Sequence, residues 1–286
     1  MKKIFLLLAA AVMLAACEHP YIGDVEADGN VTLRFQTSTD DMTRATVSIG
    51  NYFTKLNVML FNEDGSKAFD KVRTQLKADE DFGQLNLSLS AGVYTIVAVG
   101  HSSTISATIK SPEMVQFTAS NGEKLTDTFC YCGKITVSED PEQHDLTMNR
   151  ATAMFQIKLT DEEVPAAFAK MKIDYTGGSA NFNPTTFEGT TKSTQSESRT
   201  ATPDDIYQCY TFPYQSASGT LKVTASALDA SGNVLRTRTF DAIPVTRNRI
   251  TTYKGKFFEE GDGEITQSGF GFTVNPDWDG EDVIEF

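Results

Sequence analysis

Between residues 30 and 38 the chain reads NVTLRFQTS, with Val31, Leu33 and Phe35 on one side and Thr32, Arg34 and Gln36 on the other. A period of two places alternate side chains on opposite faces, so this stretch predicts a β-strand with one face on a core. KLNVMLFNEDGSK (55–67) repeats the pattern through Leu56, Val58 and Leu60 and runs into Asp64-Gly65, a dipeptide that tolerates the positive φ angles of a tight turn. GQLNLSLSAGVYTIVAVG (83–100) gives Leu85, Leu87 and Leu89, a turn near Ala91-Gly92, then Val93 to Val99. That last run is apolar on both faces and predicts a central strand.

Near Asn149 and Arg150 the pattern restarts. ATAMFQIKLTDE carries Ala153, Phe155, Ile157 and Leu159, and TLKVTASALDASGNVLRTRTF follows with strand, turn at Gly232 and strand. Short alternating segments between turn residues argue for an all-β chain of two β-sandwiches of related design. The expected divisions are 1–16 as a signal peptide, 17–29 as a tether, 30–148 as an N-terminal sandwich and 149–286 as a C-terminal one. Only DEEVPAAFAKM (161–171) looks helical, for one or two turns. The Ser/Thr-rich 188–205 reads as a long exposed loop.

The N-terminus changes the setting. Lys2 and Lys3 precede Ile4 to Ala16, 13 residues without a charge, where a membrane-spanning helix needs about 20. A basic start, a short apolar run and small residues define a secretory signal. Leu14-Ala15-Ala16-Cys17 is the pattern of a bacterial lipoprotein cleavage site, so the cut is expected between Ala16 and Cys17, with acyl chains, palmitate among them, on Cys17. At about 0.8 kcal/mol per buried CH2, two or three such chains hold a protein on a membrane where one lets it exchange. Glu18, Asp24, Glu26 and Asp28 follow in a Gly-containing stretch that reads as a solvated tether.

The formal net charge is −13, and removing Lys2 and Lys3 makes it more negative. Nucleic acid is therefore not an expected partner, because its phosphates need clustered Lys and Arg. Beyond Cys17 the cysteines are Cys130, Cys132 and Cys209, too few and too oddly spaced for a disulfide framework, and they read as small buried hydrophobes. The three histidines, His19, His101 and His144, stand at no metal-ligand spacing. GHSS (100–103) sets His101 beside serines without a third, orienting group, so His101 reads as a loop histidine. NPDWDGED (275–282) lacks the spacing of a calcium loop and reads as a solvated acidic turn. No catalytic residue, metal or cofactor is expected, which leaves work done by backbone and shape.

The cleavage motif at Cys17, TRAT (43–46), KLNVMLFNEDGSK (55–67), AGVYTIVAVG (91–100), NRATAMFQIKL (149–159) and IPVTRNRITTYKGKFF (243–258) together, in this order, resemble the Bacteroidetes FimB/Mfa2 family of fimbrial subunits, relatives of the fimbrillins. The resemblance implies two tandem transthyretin-like, Greek-key β-sandwiches. It implies an outer-membrane lipoprotein that anchors a fimbria or is accessory to it, held to the membrane by the Cys17 lipid, with other fimbrial subunits as partners. In polymerising fimbrillins an arginine-specific protease cuts behind the first strand, which leaves and is replaced by a strand from the next subunit. The matching positions here are Arg44 for the cut and Val31, Leu33 and Phe35 for the displaceable strand. Anchor members keep both lipid and strand. MTRAT is equally consistent with a shaft or tip subunit, and Arg44 with an exposed turn arginine. At the C-terminus Phe270, Phe272 and Val274 suit a final strand, Val283 to Phe286 a loose tail or a donated strand, and Trp278 a packing position. A glycan-binding surface lipoprotein is the competing class; its aromatic platforms are poorly served by one tryptophan.

Overall fold

The computed structural model describes residues 29–37, 49–117, 125–259 and 281–285. Nineteen strands and one 3-10 turn, Ile49–Asn51, account for the regular structure among them, so the protein is all-β. The first nine strands are β1 (Val31–Thr37), β2 (Lys55–Asn62), β3 (Arg73–Leu76), β4 (Gln84–Leu87), β5 (Gly92–His101), β6 (Ala107–Ser111), β7 (Met114–Phe117), β8 (Phe129–Val137) and β9 (Glu142–Arg150). Seven of them form one sheet in the order β3-β2-β5-β8-β9-β1-β4. Pairing between β8 and β9 is confined to Phe129–Arg150 and Cys130–Asn149. The sheet therefore folds over there, and β4-β1-β9 faces β3-β2-β5-β8 across a core that includes Leu33, Phe35, Leu56, Leu60, Ile96 and Leu146.

The central-strand reading of 93–99 holds. β5 lies between β2 and β8, with Ile96 and Ala98 in the sandwich core and Val97 and Val99 in a second apolar cluster on the opposite face. The turn glycines also behave as the sequence implies: Gly65 and Gly232 take φ of +82° and +87°, conformations that cost a side-chain-bearing residue steric strain.

The remaining strands are β10 (Ala153–Leu159), β11 (Lys170–Thr176), β12 (Gly178–Ser179), β13 (Asn181–Phe182), β14 (Gln195–Thr200), β15 (Ile206–Pro213), β16 (Ser218–Leu228), β17 (Val234–Thr246), β18 (Ile250–Gly255) and β19 (Glu281–Glu285). A five-stranded sheet, β12-β15-β10-β18-β19, packs on a four-stranded one, β14-β11-β16-β17. Their shared core holds Phe155, Ile157, Ile173, Tyr175, Val223 and Phe240. The restart seen in the sequence has a structural counterpart. β1 runs parallel to β9 and antiparallel to β4, as β10 runs parallel to β18 and antiparallel to β15. β19 lies parallel along β18 in the same chain, with Ile284 at the edge of the core.

Three expectations need correction. Residues 161–171 form no helix: Pro165 offers no N–H, and the Asp161 carboxylate instead accepts the backbone N–H groups of Phe257, Phe258 and Glu259 at 2.7, 2.6 and 3.1 Å. Residues 188–205 are not a loop throughout, because β14 pairs along β11 with Gln195 and Glu197 turned inward and buried. Nor does the expected boundary after residue 148 coincide with an element end, since β9 continues to Arg150. A small third sheet, β13-β7-β6, also joins a strand from the later residues to two from the earlier.

Candidate functional site

β1 is an interior strand. Its backbone pairs with β4 from Val31–Leu87 to Arg34–Gln84 and with β9 from Val31–Glu142 to Thr37–Met148. Val31 and Leu33 are wholly buried and Phe35 nearly so. Full burial of one such side chain contributes about 1.5–3 kcal/mol, so three of them outweigh the outward polar contacts. Those contacts nevertheless fix register: Thr32 Oγ1 donates to Asn86 Oδ1 at 3.0 Å, Arg34 Nε to Gln84 Oε1 at 3.3 Å, and Gln36 Nε2 to Thr147 Oγ1 at 3.0 Å. At the entrance Asn30 exchanges two hydrogen bonds with the backbone of Leu89, each 2.9 Å. Gly29 passes so close that a Cβ there would meet the Leu87 carbonyl oxygen at 2.5 Å.

Without β1 the sandwich would keep a groove, with Leu85 and Leu87 on one wall and Leu146 and Met148 on the other. The β4 wall has support of its own. Buried Gln75, on β3, donates to the Gln84 carbonyl at 2.6 Å and accepts from Gly83 N–H at 3.1 Å. Where the chain leaves β1 a cleft of about 530 Å3 opens, lined among others by Arg34, Gln36, Ile49, Glu80, Phe82 and Asp145. The structure thus brings Val31, Leu33 and Phe35 together on one core face. Ala16 and Cys17 lie outside the described residues, as do Arg44, His19, Trp278 and most of the acidic 275–282 segment.

His101 is not a loop histidine. It ends β5 wholly buried, with Nε2 2.9 Å from Asn57 Oδ1 and its ring edge-on to Phe117 at 5.1 Å. Asn57 in turn donates to Thr74 Oγ1 at 2.8 Å. Burial, aided by the positive charge of Lys55, pushes its pKa down to about 3. The folded chain therefore holds the ring neutral where the unfolded chain, near 6.5, takes up a proton. Stability should fall as pH drops from 6.5 towards 3, by up to about 1.4 kcal/mol per pH unit from this group. His101→Gln is expected to flatten that dependence when urea midpoints are compared at pH 7, 5 and 4; parallel curves for the two proteins would show that His101 is not the source.

A second buried polar group has no sequence signal. The Tyr175 hydroxyl donates to Glu197 Oε1 at 2.6 Å and lies 2.9 Å from the Tyr210 carbonyl, while Arg199 pairs with the same carboxylate. Burial first, then the Glu197 charge, raises the Tyr175 pKa well above its ordinary value. This arrangement satisfies a buried carboxylate and fixes β14 on the core. Among the described residues no group of three or more His, Cys, Asp or Glu side chains is arranged to hold a metal ion.

The fold and the β1 seat together define an all-β protein of layered sheets whose N-terminal strand completes the core of its first half. The chain belongs to a family of unknown function, DUF6562, whose profile matches residues 23–286. No curated protein sequence matches it. Among solved structures it is similar to a candidate adhesin from Bacteroides ovatus, at 13% identity and a TM-score of 0.49 over 73% of this chain and 76% of the other. It is also similar to the fimbrial anchor protein Mfa2 from Porphyromonas gingivalis, at 12% identity and a TM-score of 0.42 over 73% and 80%. A fimbrial assembly protein from Parabacteroides distasonis gives 14% identity and a TM-score of 0.42 over 79% and 90%.

Proposed function

We propose that this chain is a lipid-anchored cell-surface protein that serves as the anchor or an accessory subunit of a fimbria and engages other fimbrial subunits by strand addition. The observation that carries the reading is the seat of β1. The covalent path from Cys17 to the rest of the body runs first through β1 and then through residues 38–48, which contain Arg44. An anchor that keeps β1 in its sheet keeps its body attached to its lipid; a cut after Arg44 would sever the two. Residues 17–29 can extend about 45 Å at 3.3–3.6 Å per residue, enough to hold the body clear of the membrane surface. Partner binding then rests on unpaired backbone groups at sheet edges and on apolar pockets beneath alternate side chains, and no enzymatic step is required.

Lipid attachment is the element most easily tested. In cells fed labelled palmitate, Cys17→Ala should accumulate as an uncut precursor without label. A variant that is labelled and processed like the natural chain would overturn the reading.

A further inference from the structure

The joint between the two halves is built as a clamp. Arg150, the last residue of β9, is nearly fully buried, and its Nε lies 2.9 and 3.0 Å from the two carboxylate oxygens of Asp127. Its Nη1 donates to Asn248 Oδ1, in the turn between β17 and β18, at 2.9 Å, and its guanidinium sits 4.7 Å from the Phe129 ring centroid. One side chain thus ties the loop before β8 to a turn of the later half. The backbone repeats the tie: Ala151 N–H donates to the Thr128 carbonyl at 2.8 Å, and Asn248 N–H to the Thr152 carbonyl at 2.9 Å. Buried Thr152 adds a bond from its hydroxyl to Asp127 Oδ1 at 3.2 Å.

The second element of the clamp is apolar. The β6–β7 hairpin covers the back of the β2-β5-β8 layer and pairs through β7 with β13, Gln116 opposite Asn181 and Val115 opposite Phe182. Phe182 stacks on Phe212 at 4.3 Å, and Phe212 lies 6.1 Å from Phe117. All three rings are almost inaccessible to water and share one cluster with Met59, Val99 and Cys130 of the first half. Halves of a chain move against each other by default unless their interface is large and apolar. Here the interface is a shared core, crossed by a strand pairing and pinned by a buried ion pair whose disruption would strand a charge.

We infer that the two halves have no working hinge between them and open as one cooperative unit, with the Arg150 pin and the β7–β13 strap as the coupling elements. This inference is independent of the fimbrial reading. Two buried thiols report on it directly, Cys130 from the first half and Cys209 from the second. The full chain, carrying Cys132→Ser, is exposed to iodoacetamide along a urea gradient, and labelling at Cys130 and Cys209 is read by peptide mass spectrometry. Coupled halves should give Cys130 and Cys209 the same midpoint. Adding Arg150→Met and Phe182→Ala should separate them, with Cys130 opening about tenfold or more readily than Cys209. Separate midpoints before those substitutions would overturn the inference. Coincident midpoints after them would overturn the assignment of the coupling to the pin and strap. Where the double variant does not fold, Arg150→Met alone supplies that second comparison.

Discussion

Replacing Leu33 with alanine is expected to cost about 2–5 kcal/mol of stability, the range for emptying a buried leucine site in a packed core. Leu33 is wholly buried, sits opposite Leu85 of β4 and is flanked in the same core by Val31 and Phe35. No solvent-facing collapse can refill the space, because both neighbouring strands are held in register by pairing along β1. Against a total stability of about 5–15 kcal/mol for a folded protein, the loss should be plain in a urea titration. Arg34→Ala, one residue along and facing out, is the control, with a change expected within about 0.5 kcal/mol. Equal effects of the two substitutions would mean that β1 does not complete the core. The magnitude also bears on exchange: a strand worth this much does not leave unaided, so its departure would need a cut, an incoming strand, or both.

The second large effect concerns Arg44. Cleavage after it would place Cys17, the tether and β1 on one fragment and the remainder of the body on another. The released fragment would retain only the non-covalent hold of β4 and β9, and loss of that hold would uncover the groove lined by Leu85, Leu87, Leu146 and Met148. An exposed apolar strip between two strands with unpaired backbone groups recruits another strand. On the proposed lipid-anchored reading, proteolysis at this point should therefore release a lipid-free species that forms ordered multimers. A chain acting as an anchor should instead remain uncut.

Most of the strand pattern was legible because the inward positions of β1, β2, β5 and β10 are apolar and the turns after β2 and β16 carry Gly65 and Gly232. Legibility failed where chemistry and orientation part company. In β14 the inward residues are Gln195 and Glu197, so alternation survives in the backbone but vanishes from the hydropathy, and the burial is made tolerable by contacts that include Tyr175 on the paired strand β11 and Arg199, two residues along β14 itself. His101 misled for a related reason: its partner Asn57, and Thr74 to which Asn57 donates, come from other strands, and its ring contact, Phe117, from the hairpin behind them. The spacing of apolar residues in 161–171 imitates a helix, but Asp161 binds three N–H groups nearly a hundred residues away. Of the candidate site, the apolar face of β1 could be read from five residues, whereas the Gln75 brace on its groove and the Arg150 joint depend on contacts that no local window contains.

Whether β1 and the lipid stay with the body is decided by the N-terminus of the protein in its working state. The measurement is intact-mass analysis with N-terminal peptide identification on the chain recovered from fimbriated cell surfaces. The anchor reading predicts a chain that begins at acylated Cys17 and includes residues 31–37. A lipid-free chain beginning at Ala45 would contradict it and assign the protein to the shaft or tip.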